Sequence, residues 1–209
     1  LNHSGNTGYS QSKKDLVRMG EEIRRAMGQL IGKQLITVRQ TEMWLEVEIK
    51  ADILFASGSA RTSDTALPIL GKLAGILKPF PNSIRVEGYT DNLPISTYAF
   101  PSNWELSAAR AANVVRLFAE HGVAPKRMIV AGLGEYSPVA DNKTAEGRNR
   151  NRRVVLVVMA DEDLSKMPDL NGLAETQPAA EAASAEPEAP APAAESAAAA
   201  PAAPVEPHT

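Results

Sequence analysis

Residues 102–122 read Ser102-Asn103-Trp104-Glu105-Leu106-Ser107-Ala108-Ala109-Arg110-Ala111-Ala112-Asn113-Val114-Val115-Arg116-Leu117-Phe118-Ala119-Glu120-His121-Gly122. Ser102 followed three residues later by Glu105 has the form of a capping box, in which each side chain satisfies a backbone N–H at a helix start. Gly122 suits the left-handed position just past a helix end. The spacing therefore predicts a helix running from the Ser102 cap to His121. Its apolar stripe is Leu106, Val114, Leu117 and Phe118. Arg110 stands four residues from both Leu106 and Val114, which puts it on the buried seam. An unpaired buried guanidinium costs several kcal/mol. Arg110 is thus either a structural cation, paired or snorkelling at a sheet edge, or part of a site.

Outward from this helix the chain alternates. Ile84 to Tyr89 reads as a strand, and Asp91 to Pro101 as a long loop with two prolines. Asp91 directly follows the strand. It either caps a turn or sits where a rigid sheet aims a functional loop. Met128 to Ala131 is a second strand, and Glu135 to Arg150 is polar and irregular with at most one helical turn. Val154 to Val158 is the last and most buried strand. Upstream, Leu67, Leu70, Leu73, Ala74 and Leu77 predict a helix from Thr65 to Leu77, ended by Pro79 and Pro81. Leu35 to Val38, then Leu45, Val47 and Ile49 alternating with Glu46 and Glu48, predict a hairpin around Gln40-Thr41-Glu42. Strands alternating with helices demand an α/β sandwich of the α+β kind. The expected order is β-β-α-β-α-β, a mixed sheet with helices on one face.

The ends differ from this core. Residues 1–12 are rich in Ser, Asn and Gly and read as linker. Within 13–34, Leu16, Ile23, Met27 and Leu30 predict an amphipathic helix from Lys13 to Ile31. It packs on its own domain, which would span 35–160, or serves as a dimer or regulatory helix. Residues 161–209 form an acidic Ala/Pro-rich tail, with too little large apolar surface to offset ordering entropy, and are expected to be disordered. Ten acids against Lys166 give the tail a charge of −9, so +6 on the first 160 residues accounts for the total of −3. A basic domain beside an acidic tail suits an anionic polymer. The first residue is Leu rather than Met, and no run reaches the length of a membrane span, so a targeting or membrane segment is expected upstream.

Several chemistries are disfavoured. With no cysteine there is no disulfide or thiolate metal site. No metal or cofactor is expected. His3 and His208 lie in the tails, and His121 sits at a helix C-terminus where a cation is favoured anyway. There is no nucleophile elbow and no histidine pair at metal spacing. Glu87 and Asp91 would be ~13 Å apart in extended chain, too far for paired carboxylate catalysis. Arg148, Arg150, Arg152 and Arg153 suggest nucleic acid, but the strand that follows lacks the aromatics that stack bases. No enzyme and no nucleic-acid partner is expected.

Four stretches together resemble the OmpA-like peptidoglycan-binding domains. They are Ala51-Asp52-Ile53-Leu54-Phe55-Ala56-Ser57-Gly58-Ser59-Ala60; Gly88-Tyr89-Thr90-Asp91, where the family usually has His at the Tyr89 position; Leu106-Ser107-Ala108-Ala109-Arg110-Ala111 with Val114; and Gly147-Arg148 with Asn151-Arg152-Arg153-Val154. Within the family, Asn92-Leu93-Pro94-Ile95 and Ser102-Asn103-Trp104-Glu105 are similar to the flagellar stator branch, MotB and its paralogue MotD. The resemblance implies binding of the diaminopimelate side chain of the peptidoglycan stem peptide. Arg110 would grip its carboxylate and Asp91 would accept from its ammonium. Arg152 or Arg153 would assist, only one of them facing the pocket because side chains alternate along a strand. Thr90, Asn92 and Asn103 are further candidates. It also implies a periplasmic domain of a single-pass inner-membrane protein of a Gram-negative bacterium, a homodimer, working with a MotA-like or MotC-like membrane subunit. The alternative within the family is an outer-membrane protein or lipoprotein anchored to the wall.

Overall fold

The computed structural model describes residues 4–160, with side chains from residue 11 onward. The expected acidic tail lies outside the described residues. Five strands form one sheet: β1 Ile36–Gln40, β2 Trp44–Lys50, β3 Ile84–Tyr89, β4 Met128–Gly134 and β5 Arg153–Met159. Their spatial order is β1-β2-β5-β3-β4, with β3 and β4 parallel and the other pairs antiparallel. The helices are α1 Ser4–Ala26, α2 Gly28–Gly32, α3 Ala51–Leu54, α4 Ala66–Leu77, α5 Asn103–Glu120 and α6 Ala145–Asn151. The mixed sheet with packed helices is the fold expected. All five strands named from the sequence form, one more than the order β-β-α-β-α-β counts, and the short helices α3 and α6 are additions to it. A seven-residue α6 forms where at most one turn was expected. Thr144 caps it by accepting from the Gly147 N–H.

The strand alternation sorts side chains cleanly. On β2, Leu45, Val47 and Ile49 are buried while Trp44, Glu46, Glu48 and Lys50 are half-buried. On β5, Val154, Leu156 and Val158 join the main core with Leu70, Leu73, Leu77, Val114 and Phe118, whereas Val155, Val157 and Met159 face the opposite side with Tyr89. The hairpin turn forms as expected, with Thr41 Oγ1 accepting from the N–H groups of Met43 and Trp44.

Two expectations near the N-terminus are corrected. The helix begins at Ser4, inside the stretch expected to be linker. That stretch contains no proline, so a helix nucleated on the Leu16–Met27 face propagates through it. The regular helix also stops at Ala26, before the expected Ile31, with a break at Met27 ahead of α2. Leu16, Met19, Ile23 and Met27 are at most 2% exposed and belong to the same core as the sheet. Burial of such side chains contributes about 1.5–3 kcal/mol each. Leu67 was expected on the buried stripe of α4 but is 44% exposed; Ala66, one position round the helix, takes the inward place.

Helix α5 lies closely over the parallel pair. Gly88 and Gly132 face each other in register across β3 and β4. A Cβ at Gly88 would overlap the Ser107 carbonyl, and one at Gly132 would come within 2.6 Å of Ala108 Cβ. The Ser107 hydroxyl also accepts from the Gly134 N–H at 3.0 Å. These contacts fix the height of α5 above the sheet and hence the position of Arg110.

Candidate functional site

The strand β3 delivers Thr90 and Asp91 to the edge of the sheet, and β5 begins beside them with Arg152 and Arg153. Tyr89 pairs with Arg153 across the antiparallel register. On its other flank β5 pairs with β2, so that the Ala51 N–H donates to the Arg152 carbonyl at 3.0 Å. The short helix α3 that follows places Asp52 next to Arg152.

Arg152 is the bridge of this cluster. Its Nη1 donates to Asp91 Oδ2 at 2.7 Å, while Nη2 and Nε donate to the Asp52 carboxylate at 3.2 and 3.3 Å. Its pKa is raised, first by the hydrogen bond with Asp52 and then, against some burial, by Asp91. Asn149 also donates to Asp52. Asp91 is only 6% exposed, and its other oxygen accepts from the Leu93 N–H at 3.1 Å. Asp91 therefore closes a turn, one of its two expected roles, and its side chain is nearly buried at the strand end. Each carboxylate oxygen accepts more than one bond, so capacity remains for a further donor.

Arg110 is differently placed. It is 3% exposed, and its guanidinium lies 5.3 Å from the centre of the Phe55 ring. Its Nε donates to the Ser59 carbonyl at 2.9 Å. Next along α5, Asn113 donates to the Ala60 carbonyl, so the 59–60 loop is fastened to the helix at two points. Among the described residues no carboxylate comes within ion-pair distance of Arg110, and the Nη donors have no hydrogen-bond partner. Its pKa is lowered first by burial; Asp52 and Asp91 act to raise it at longer range, and Arg152 to lower it. The guanidinium remains cationic at neutral pH.

The other candidates separate. Asn103 is buried, and its amide donates to the Asp91 and Leu93 carbonyls at 3.4 and 3.1 Å and to the Glu135 carboxylate. It ties the 91–93 loop to the start of α5 and to the end of β4. Thr90 is buried, with its hydroxyl on the Asp91 carbonyl and its N–H on the Gly134 carbonyl. The Asn92 N–H rests on Asn142 Oδ1, which also accepts from Asn151. Arg153 points to the opposite face of the sheet. Its guanidinium stacks 3.7 Å from the Tyr89 ring centre and donates to the Asn151 and Ser137 carbonyls. The expected alternation of Arg152 and Arg153 thus leaves Arg152 at the site. Arg148 turns away to the Asn142 and Lys143 carbonyls, so the four arginines do not form one basic patch.

Sequence reasoning missed Asp52, Phe55 and the Ser59 carbonyl as parts of the site. All three lie in the 51–60 stretch, which its family resemblance flagged as a whole; the fold brings Asp52 to Arg152, and Phe55 and the Ser59 carbonyl to Arg110. Among the described residues no cluster of His, Asp and Glu is arranged to hold a metal ion, and no helix is long and apolar enough to cross a membrane.

This geometry can be set beside known proteins. The sequence profile of the OmpA family matches residues 54–152, the segment that contains Phe55, Ser59, Asp91, Arg110 and Arg152. Motility protein B of Bacillus subtilis is 39% identical over 127 residues, covering 59% of this chain and 48% of that protein. The outer-membrane lipoprotein YfiB of Pseudomonas aeruginosa is 37% identical over 121 residues, covering 57% of this chain and 69% of that protein. Among solved structures, the cell wall anchor of the T6SS from Pseudomonas aeruginosa superposes with a TM-score of 0.63 at 38% identity, covering 66% of this chain and 97% of that one. The chain spans about half to two thirds of the length of the first curated relatives it matches. The shared sheet, the signature-bearing loops and the extent of identity lead to one conclusion: the chain belongs to the OmpA family.

Proposed function

We propose that this chain is the wall-anchoring part of a flagellar motor stator, holding peptidoglycan non-covalently through the diaminopimelate residue of the stem peptide. The observation that carries this is Arg110: a buried cation with open donors and no carboxylate partner among the described residues. Such a group is costly unless a ligand supplies the anion. The free end of a diaminopimelate side chain carries a carboxylate beside an ammonium. Its carboxylate would meet the Arg110 guanidinium as a fork. Its ammonium would meet Asp91, whose orientation is held by Arg152. Arg152 acts as a positioning residue, because its donors are already committed to Asp52 and Asp91.

The likeness to motility protein B supports the stator role. In that role the chain would be the periplasmic portion of an inner-membrane protein, dimeric, and attached to a MotA-like or MotC-like subunit. It would perform no catalysis; it would resist the torque reaction. A second member of the same class is favoured by YfiB and by the T6SS anchor: a wall anchor serving another envelope structure. Both versions use the same site.

The site is tested by Asp91→Asn and Arg110→Ala. Each is expected to abolish co-sedimentation with purified peptidoglycan while the melting temperature stays within a few degrees of the parent. A variant that binds normally, or that is unfolded, removes its residue from the binding role.

A further inference from the structure

Nine large apolar side chains are exposed among the described residues, and two of them, Trp104 and Tyr136, pack against each other. Exposed apolar residues scattered singly are ordinary; a cluster of them marks a contact surface. Trp104 and Tyr136 form such a contiguous surface as a stacked aromatic pair. The Trp104 and Tyr136 rings lie with centroids 4.9 Å apart and planes 22° from parallel. Trp104 remains 46% and Tyr136 65% exposed, so the two rings do not hide each other. A Cβ added at Gly134 would lie 3.6 Å from the Tyr136 ring and 3.7 Å from the Trp104 ring, and the Gly134 φ of +56° belongs to the left-handed region that glycine favours.

This pair is rigidly coupled to the site. Trp104 follows Asn103, and Tyr136 follows Glu135. Asn103 and Glu135 are hydrogen-bonded to each other, and the Asn103 amide reaches the Asp91 carbonyl. Each ring is therefore one residue removed from the hydrogen-bonded pair that reaches the Asp91 carbonyl.

We propose that the Trp104–Tyr136 stack is a sugar platform, taking an N-acetylhexosamine unit of the glycan strand from which the bound stem peptide hangs. One face of a pyranose is a plate of C–H groups, which packs on a flat aromatic ring, while its hydroxyl and acetamido edges stay wet. Tyr and Trp suit such a half-apolar, half-wet surface. This proposal rests on the stem-peptide assignment above and extends it to the saccharide. Because sugar and peptide are covalently joined, the second contact forms at high effective concentration, and a weak stacking contact alone raises the total affinity.

The test is calorimetry on the full chain with three ligands: the stem peptide ending in diaminopimelate, the same peptide on its disaccharide, and peptide-free glycan strands. The disaccharide is expected to tighten binding roughly tenfold over the peptide alone. Trp104→Ala and Tyr136→Ala should each erase that increment without changing affinity for the bare peptide, and Trp104→Phe should keep most of it. Tyr136 lies outside any helix, so its variant remains informative if Trp104→Ala disturbs the start of α5. No increment in the parent, or an increment that survives both alanine variants, overturns the proposal. If the bare peptide does not bind, the stem-peptide assignment falls separately. The platform then stands only if glycan strands bind the parent and not the two alanine variants.

Discussion

Arg110 and Arg153 are buried to the same degree, 3% and 4% exposed, and burial lowers the pKa of both, yet they sit in opposite kinds of surroundings. Around Arg153, on the outer face of the sheet, the interactions close on themselves. Arg153 stacks on Tyr89 and is held by two carbonyls; the Tyr89 hydroxyl donates to Glu87 at 2.6 Å; Arg85 pairs with the other Glu87 oxygen at 2.6 Å. The Tyr89 hydroxyl has its pKa raised by burial first and by Glu87 second, so it stays a neutral donor. Around Arg110 only one donor is placed, on the Ser59 carbonyl. Under the proposed function, the difference separates structure from reception. A buried cation surrounded by partners holds a fold together, while one with open donors is arranged for a partner that arrives.

Breaking the closed network should have the largest effect on stability and almost none on recognition. Glu87→Ala removes the carboxylate that joins Arg85 to Tyr89. Loss of one member of a buried pair costs on the order of 3–5 kcal/mol. Denaturant unfolding is expected to show that loss, while affinity for the stem peptide, measured on the folded fraction, stays unchanged. A stable Glu87→Ala protein with weakened peptide binding would reverse the assignment of the two faces.

The smallest effect concerns the start of α5, which carries Arg110 but whose cap lies in water. Glu105 accepts from the Ser102 N–H and hydroxyl, and these bonds, the Ser102 hydroxyl first, hold its pKa below the ordinary value of 4.5. A carboxylate with a depressed folded pKa contributes stability that is complete above its unfolded value and is lost as pH falls through the folded value. Glu105→Ala should therefore lower the melting temperature slightly at neutral pH. The gap to the parent should narrow as the pH drops below 4.5. A gap independent of pH would show that the Glu105 charge does not hold the cap.

The legible and illegible parts of this molecule divide along sequence distance. The capping box at Ser102 and Glu105, the Gly122 stop and the alternation of Leu45, Val47 and Ile49 are local signals, and each appears in the structure where its spacing puts it. Arg110 was legible as a buried charge because its neighbours four residues away are apolar. Asp52 was not, since its partner Arg152 lies one hundred residues further on and meets it only because β2 pairs with β5. The choice between Arg152 and Arg153 depended on the register of β5, which no local pattern gives. The early start of α1 was hidden for another reason: Ser, Asn and Gly have modest helix propensity, and a helix anchored downstream by Leu16, Met19 and Ile23 overrides it.

The central claim is that Arg110 receives a ligand carboxylate, and one comparison of ligands tests it most directly. Two stem peptides, identical except for diaminopimelate or lysine at the third position, are titrated calorimetrically at equal salt. Diaminopimelate brings both an ammonium and a carboxylate to the site, whereas the lysine residue brings the ammonium alone. Leaving one member of a desolvated charge pair without its partner costs roughly 2–5 kcal/mol. The diaminopimelate peptide should accordingly bind about thirtyfold or more tightly, and Arg110→Ala should remove most of that preference. Equal affinity for the two peptides would contradict the account and leave the diffuse positive charge of the domain as the source of wall contact.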